Sequence, residues 1–367
     1  MNIKNKITVD LIAGARPNFV KLASILRAIE QEETKIKYRL IHTGQHYSPS
    51  LSDSFFDQLN LPKPDINLGA GGGTQAEQTA KIMVGYEQVL AKEKPSVCIV
   101  VGDVNSTMAC AIVAKKSGVK VAHIEAGIRS YDWSMPEEVN RVVTDSITNW
   151  FFTTSQLASE NLLSQGIDSD NIFFVGNTMI DTLLNQSSKF CRPDFWSEYN
   201  LINKNYIVLT LHRPANVDDS NNLVEILKVI DENTSGMQVI FPVHPRTSNI
   251  LDQLEMDLSF IRFVPPQGYL EFNYLVKNSF AVITDSGGIS EEATVFNVPC
   301  LTMRNNTERP ETVDLGTNEL VGANPTMLPK FLKILFSNNW KNGSIPPKWD
   351  GNTGPRIVKI IRKLLEE

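Results

Sequence analysis

Five segments bring together residue types that can do acid–base or phosphate chemistry: GARPNFVK (14–21), GDVNST (102–107), HIEAGIRS (123–130), LHRPAN (211–216) and DSGGISEE (285–292). Each follows or closes a short apolar run of the kind that forms a buried strand. In open α/β sheets ligands collect at the carboxyl ends of strands. All five histidines, His42, His46, His123, His212 and His244, fall at or just beyond such ends. A single histidine there is usually structural, but random placement would put some of five on helix surfaces. Asp103 and Glu125 close strongly apolar runs, where carboxylates can serve as acids or bases. Glu137 follows Met135 and Pro136 at a helix start, with Glu138 beside it. First helical turns favour acids because of the dipole, so one of this pair serves only that purpose. His212 closes the first strand of the second half.

DSGGISEE after the run FAVITD has the form of an anion site. A strand, two glycines and a helix leave free backbone N–H groups and the positive end of the helix dipole facing outward. Ser286 can cap that helix, Gly287 and Gly288 allow close approach, and Glu292, further in, can accept bonds from a ribose diol. An N-cap serine with a tight turn accounts for the same motif equally well. Near the N-terminus, Arg16 and Lys21 flank the start of the first helix. Cations there oppose the dipole unless an anion lies between them, which favours a diphosphate clamp. One ligand held by residues 16–21 and 286–292 would lie in a cleft between two domains. GAGGGT (69–74) is followed by no GK[ST], and Thr74 with Glu77 reads as a capping box instead. No strand is followed by GxGxxG, so a nicotinamide fingerprint is missing and no cofactor is expected.

The elements that must position these groups alternate regularly. Strand runs fall at 7–13, 38–43, 97–102, 120–125, 151–155 and 172–176, then at 206–212, 238–244, 260–265, 280–285 and 298–303. Helical periodicity falls between them, at 17–31, 74–92, 106–117, 137–149, 156–165, 220–233, 268–277, 287–296 and 326–337. Strand–helix alternation of this kind predicts α/β architecture with doubly wound parallel sheets. The pattern restarts after a polar stretch at 186–205, which gives two domains, 1–185 and 186–350, followed by an amphipathic helix in 351–367. A chain of 367 residues is long enough for two such cores.

Composition narrows the partners. A net charge of -6 argues against a general nucleic-acid binder. The four cysteines lack paired spacing and no HxxxH or HxH occurs, so no metal site is expected. No run is long and apolar enough to span a bilayer, and the N-terminus is too short and polar for a signal peptide. These features predict a cytoplasmic protein with no membrane partner.

Read in order, GARPNFVK, GDVNST, HIEAGIRS, MPEEVNR, LHRPAN, PVHPR, DSGGISEE and TERPE resemble the non-hydrolysing UDP-N-acetylglucosamine 2-epimerase family. The similarity runs from residue 7 to the last helix. It implies a GT-B fold, two Rossmann-like domains facing across a cleft, with the last helix crossing back to the first. It also implies an isomerase that interconverts UDP-GlcNAc and UDP-ManNAc to supply bacterial surface polysaccharide precursors, commonly as a homodimer. Asp103, Glu125, Glu137 and His212 match the family's catalytic positions. Arg16, Lys21, Ser286, Gly287, Gly288, Glu292 and Arg309 match UDP-sugar contacts, and Gln267 and Phe272 match positions around the uracil. Gln45 and His46 match part of a second, regulatory UDP-GlcNAc site, whereas Ser48 and the glycine run 71–73 depart from it. Asn18 and Pro214 also depart from the common pattern, which leaves a diacetamido or uronic acid sugar as an alternative substrate. A hydrolysing epimerase, a GT-B glycosyltransferase and a non-catalytic UDP-sugar-binding protein are the remaining readings.

Overall fold

The computed structural model describes residues 7–31, 36–45, 56–217, 219–243, 251 and 257–366. His46, Ser48 and His244 lie outside the described residues. The chain divides into two compact units, Met1–Asn185 with Pro347–Glu367, and Gln186–Pro346.

In the first unit the apolar runs form β1 (Thr8–Ala13), β2 (Lys37–His42), β3 (Ile66–Asn67), β4 (Val97–Val101), β5 (Lys120–Ile124), β6 (Trp150–Thr153) and β7 (Ile172–Phe174). Between them lie α1 (Arg16–Gln31), α2 (Gln75–Lys92), α3 (Asn105–Lys116), α4 (Pro136–Ile147), α5 (Gln156–Ser164) and α6 (Thr178–Gln186). The sheet is parallel, in the order β3-β2-β1-β4-β5-β6-β7. Its central strands are buried, β4 at every residue and β1 and β5 at all but their first, as helices on both faces of a parallel sheet require. α2 begins where Thr74 accepts from the Glu77 amide and the Glu77 side chain returns to the Thr74 amide. That reciprocal cap explains GAGGGT as the entry to a helix.

The second unit holds β8 (Tyr206–Thr210), β9 (Gln238–Pro242), β10 (Ile261–Val264), β11 (Ala281–Thr284), β12 (Cys300–Thr302) and β13 (Asn318–Leu320). Its helices are α7 (Pro214–Val217), α8 (Ser220–Glu232), α9 (Tyr269–Asn278), α10 (Gly287–Val295), α11 (Pro310–Asp314) and α12 (Leu328–Phe336). This sheet is parallel too, ordered β10-β9-β8-β11-β12-β13. Residues 190–205 carry no strand signal, yet Phe195, Trp196 and Leu201 enter the second core. The Trp196 ring meets Tyr206 at 5.6 Å and Tyr274 at 5.4 Å, both edge to face.

In both sheets the strand order reverses between the first strand and the fourth, β1 with β4 and β8 with β11. This is the Rossmann-like order, and ligands bind beyond the carboxyl ends of strands at such switch points. The closing helix α13 (Thr353–Glu366) buries Ile357, Val358 and Ile361. It packs on α1, where a Cβ on Gly354 would lie 2.4 Å from the Ser24 carbonyl oxygen. The Gly354 amide donates to Asp181 Oδ2 at 2.7 Å. Among the described residues no helix is long and apolar enough to cross a membrane.

Candidate active site

At the first unit's switch point, Asn18 ties the end of β1 to the end of β4. Its Oδ1 accepts from the Gly14 and Ala15 amides at 3.1 and 2.8 Å, and its Nδ2 donates to the Val101 carbonyl at 3.0 Å. Arg16 opens α1 and is exposed. Lys21 is buried further along, and its ammonium pairs with the Glu125 carboxylate. The lysine read as a phosphate cation thus also orients an acid at the end of β5. Glu125 is buried and its backbone is left-handed, φ 67°. A non-glycine residue held there stores strain of a kind that clusters at functional sites. Gly102, φ 69°, makes room for the pair: a Cβ would lie 3.1 Å from Lys21 Nζ and 3.2 Å from Glu125 Oε2.

Asp103 follows Gly102 and is half-buried. Arg141 on α4 donates to its Oδ2 through Nε at 3.0 Å and a terminal nitrogen at 2.6 Å. Asn140 donates to its carbonyl oxygen at 2.9 Å. The two glutamates at the start of α4 separate sharply. Glu138 is buried and accepts from the Ser130 amide and hydroxyl, the Tyr131 amide and Arg141 at 2.8–3.1 Å. Burial opposes the charge on Glu138, but these donors outweigh it and hold the carboxyl below its ordinary range. Glu137, by contrast, is exposed.

His123 is fully buried between Asp145 at 2.7 Å and the Gly102 carbonyl oxygen at 2.8 Å. Asp145 also meets Arg129 at 2.7 Å and accepts from the Gly127 amide at 3.1 Å. Burial raises its carboxyl, and His123 and Arg129 outweigh that, so it sits below the ordinary range. His123 is thereby a brace under Gly102 and the β5 turn. Gln45 caps the far side of the β1 turn, its Oε1 accepting from the Ser106 amide at 3.2 Å and hydroxyl at 2.7 Å.

The second unit's switch point centres on Asp285, which directly follows β11 and has no exposed surface. Its carboxylate accepts from the His212 and Arg213 amides at 3.0 and 2.9 Å and from Asn216 Nδ2 at 2.9 Å. His212 Nδ1 lies 2.6 Å away, while the His212 side chain is 61% exposed. Burial raises Asp285, and these partners more than reverse it, holding the carboxyl below its usual range. Arg304 is buried and doubly bonded to Glu308 at 2.7 and 2.8 Å. A Cβ on Gly287 would lie 3.9 Å from both partners.

Ser286 stands at the N-cap of α10, but its hydroxyl makes no cap bond. Its amide donates to Thr284 Oγ1 at 3.0 Å instead. Without that cap, the amides of the first turn, including Gly287 and Gly288, lack a side-chain acceptor from Ser286. Glu292 is buried in α10 beside Asn273 of α9. Burial first, then the neighbouring Glu291, pushes its carboxyl up to about 8 against the pull of Asn273. Arg309 pairs with Glu291 through Nε at 2.6 Å. Gln267 donates to the Pro265 carbonyl at 2.7 Å, and Phe272, half-buried in α9, packs on the second core. The residues matched to the uracil thus flank and enter the helix whose Asn273 reaches Glu292.

The structure therefore brings Lys21 and Glu125 together. It gathers His212, Ser286 and Gly287 at the second switch point, and it joins Arg309 and Glu292 through Glu291 and α10. Asp285, Arg141 and the Arg304–Glu308 pair did not stand out in the sequence. Asp285 ends an apolar run much as Asp103 does, and that was the available signal.

The family profile described as UDP-N-acetylglucosamine 2-epimerase matches residues 27–362. A UDP-N-acetylglucosamine 2-epimerase of Methanocaldococcus jannaschii is 44% identical over 368 residues, covering 96% of this chain and 98% of its own. A UDP-2,3-diacetamido-2,3-dideoxy-D-glucuronate 2-epimerase of Pseudomonas aeruginosa is 39% identical over 357 residues, covering 96% and 99%. The crystal structure of the Methanocaldococcus jannaschii UDP-GlcNAc 2-epimerase in complex with UDP-GlcNAc and UDP is similar at TM-score 0.86 and 43% identity. That match covers 97% of this chain and 100% of the other.

Proposed function

The chain belongs to the UDP-N-acetylglucosamine 2-epimerase family, and from that premise we propose that this isomerase interconverts UDP-GlcNAc and UDP-ManNAc. The C2 hydrogen of the sugar is not next to a carbonyl, so removing it alone would leave an unstabilised carbanion. Expelling UDP from C1 as a base takes that hydrogen avoids the carbanion and gives 2-acetamidoglucal with UDP. Returning a proton to the opposite face of C2, and UDP to C1, completes the inversion. No oxidation takes part, so no nicotinamide is called for.

Two faces call for two acid–base groups. The observation that carries the reading is that the first unit supplies them in different settings: Glu125, buried and paired with Lys21, and Glu137, exposed at the start of α4. We assign the C2 proton to these two. Asp103, fixed by Arg141, orients the sugar. Arg16 and His212 stabilise the departing diphosphate, and Ser286, Gly287 and Gly288 hold it through backbone N–H groups. Glu292 takes the ribose diol, Arg309 completes the UDP-sugar contacts, and Gln267 and Phe272 flank the uracil. Gln45 remains a candidate for a regulatory site.

The Pseudomonas aeruginosa relative supports a second reading, in which the sugar carries a second acetamido group and a carboxylate. NMR of the protein with each UDP-sugar separates the two. UDP-ManNAc formed from UDP-GlcNAc supports the first. Turnover of the diacetamido uronate alone supports the second, and free ManNAc with UDP would contradict both. We place the enzyme in the cytoplasm, where four free cysteines persist, and expect a homodimer by light scattering.

A further inference from the structure

Asp285 is bonded on three sides to the turn that carries His212, through two backbone amides and Asn216. All three are donors, so the carboxylate is spent as an acceptor there and cannot rotate without breaking them. Its remaining capacity faces His212 Nδ1 at 2.6 Å. A carboxylate can only accept, so the proton of that contact belongs to Nδ1. The His212 side chain is largely exposed, and its Nε2 has no partner among the described residues. On the same turn, Arg213 Nε donates to the Asp285 carbonyl at 3.2 Å, and its guanidinium lies 3.9 Å from Glu308, which Arg304 also holds.

We infer that Asp285 is a positioning residue that fixes the proton of His212 on Nδ1, so that Nε2 can donate to the departing diphosphate only when the ring carries a full positive charge. This rests on the proposed reaction and specifies how His212 takes part in it. With Nδ1 always protonated, Nε2 presents either a lone pair, which repels an anion, or an N–H on a cation, which binds one. The choice is tied to charge because the alternative neutral tautomer is barred. A histidine that could switch tautomer would offer the same N–H without the charge, and a charge-assisted bond is roughly twice as strong as a neutral one. Asp285 itself carries a full negative charge at neutral pH, since its partners hold its carboxyl below the ordinary range.

Asp285→Asn tests this directly. The new amide keeps its single oxygen toward the two backbone donors and turns its NH2 toward His212. Nδ1 then becomes an acceptor and the neutral ring carries its proton on Nε2. Ring-15N-labelled protein, with His212→Gln to identify the resonance, reads the tautomer without any turnover. We expect Nδ1 protonated in the unaltered enzyme and Nε2 alone protonated in Asp285→Asn. We also expect kcat to fall about 100-fold, with KM and UDP affinity within about threefold. In a His212→Gln background the same change should cost less than about twofold further, because Asp285 acts through the ring. A neutral Nε2–H tautomer in the unaltered enzyme overturns the inference, as does an equal loss in the His212→Gln background. If the unaltered enzyme fails to turn over either UDP-sugar, the proposed reaction falls while the nitrogen spectrum still decides on the pair.

Discussion

Replacing Glu292 with glutamine should make the protein more stable, and increasingly so as pH rises. The carboxyl is 5% exposed in α10, beside Glu291 and within reach of Asn273, and titrates near 8 against an ordinary 4.5. Below pH 4.5 the acid is protonated both folded and unfolded, and pH has no leverage. Between 4.5 and about 8 the unfolded chain loses this proton while the folded chain keeps it. Folding then binds a proton, and stability falls by roughly 1.4 kcal/mol per pH unit. At pH 7 the loss is about 3 kcal/mol, and above pH 8 it levels off at about 5 kcal/mol. Glutamine keeps the shape and the contact with Asn273 but has nothing to ionise. Urea unfolding from pH 5 to 9 measures the difference. The two proteins should nearly coincide at pH 5, and Glu292→Gln should be the more stable by several kcal/mol at pH 9. Parallel curves across that range would refute the reasoning, because they would mean that burial and Glu291 do not hold the proton on Glu292.

Lys21→Met should destabilise the protein by about 3 kcal/mol, because it removes the ammonium that pairs with the buried Glu125 carboxylate, and adding Glu125→Gln should recover much of the loss, read from urea midpoints. Gly102→Ala should lower kcat about 10- to 100-fold, because the methyl lands against Lys21 and Glu125 at a left-handed φ; turnover and thermal melting together check it. Glu138→Gln should destabilise by about 1–3 kcal/mol, since the Ser130 and Tyr131 amides then face a poorer acceptor. Glu137→Gln should stay within about 0.5 kcal/mol in melting while C2 exchange slows. The reverse pattern would exchange the roles of these two glutamates.

The two parallel sheets are legible because a strand buried on both faces must be a continuous apolar run, and VCIVV, YIVLT and AVIT are such runs. Edge strands obey no such demand. Ile66–Asn67 and Asn318–Leu320 are two and three residues long and carry no run to recognise. The site was readable as a set of strand ends but not as a set of pairs. Lys21 looks from its own helix like a cation awaiting an anion, and the carboxylate that meets it lies 104 residues further along. Glu137 and Glu138 are equivalent to any argument from the helix dipole. The Ser130 and Tyr131 amides, carried there by the loop that precedes α4, draw Glu138 inward, and Arg141 one turn along the same helix joins them. Ser286 shows the converse: its type and place predict a cap, while its hydroxyl makes no such bond to the helix it precedes.

If UDP leaves C1 as the C2 proton is taken, and a second acid returns a proton from the other face, hydrogen at C2 must come from solvent. Turning over UDP-GlcNAc in deuterated water and reading C2 by NMR from the earliest conversion tests this most directly. Deuterium should fill C2 of UDP-ManNAc from the first turnover and of recovered UDP-GlcNAc as equilibrium approaches, and Glu125→Gln should suppress both while still binding UDP. UDP-ManNAc that retains its original C2 hydrogen would contradict the two-acid elimination.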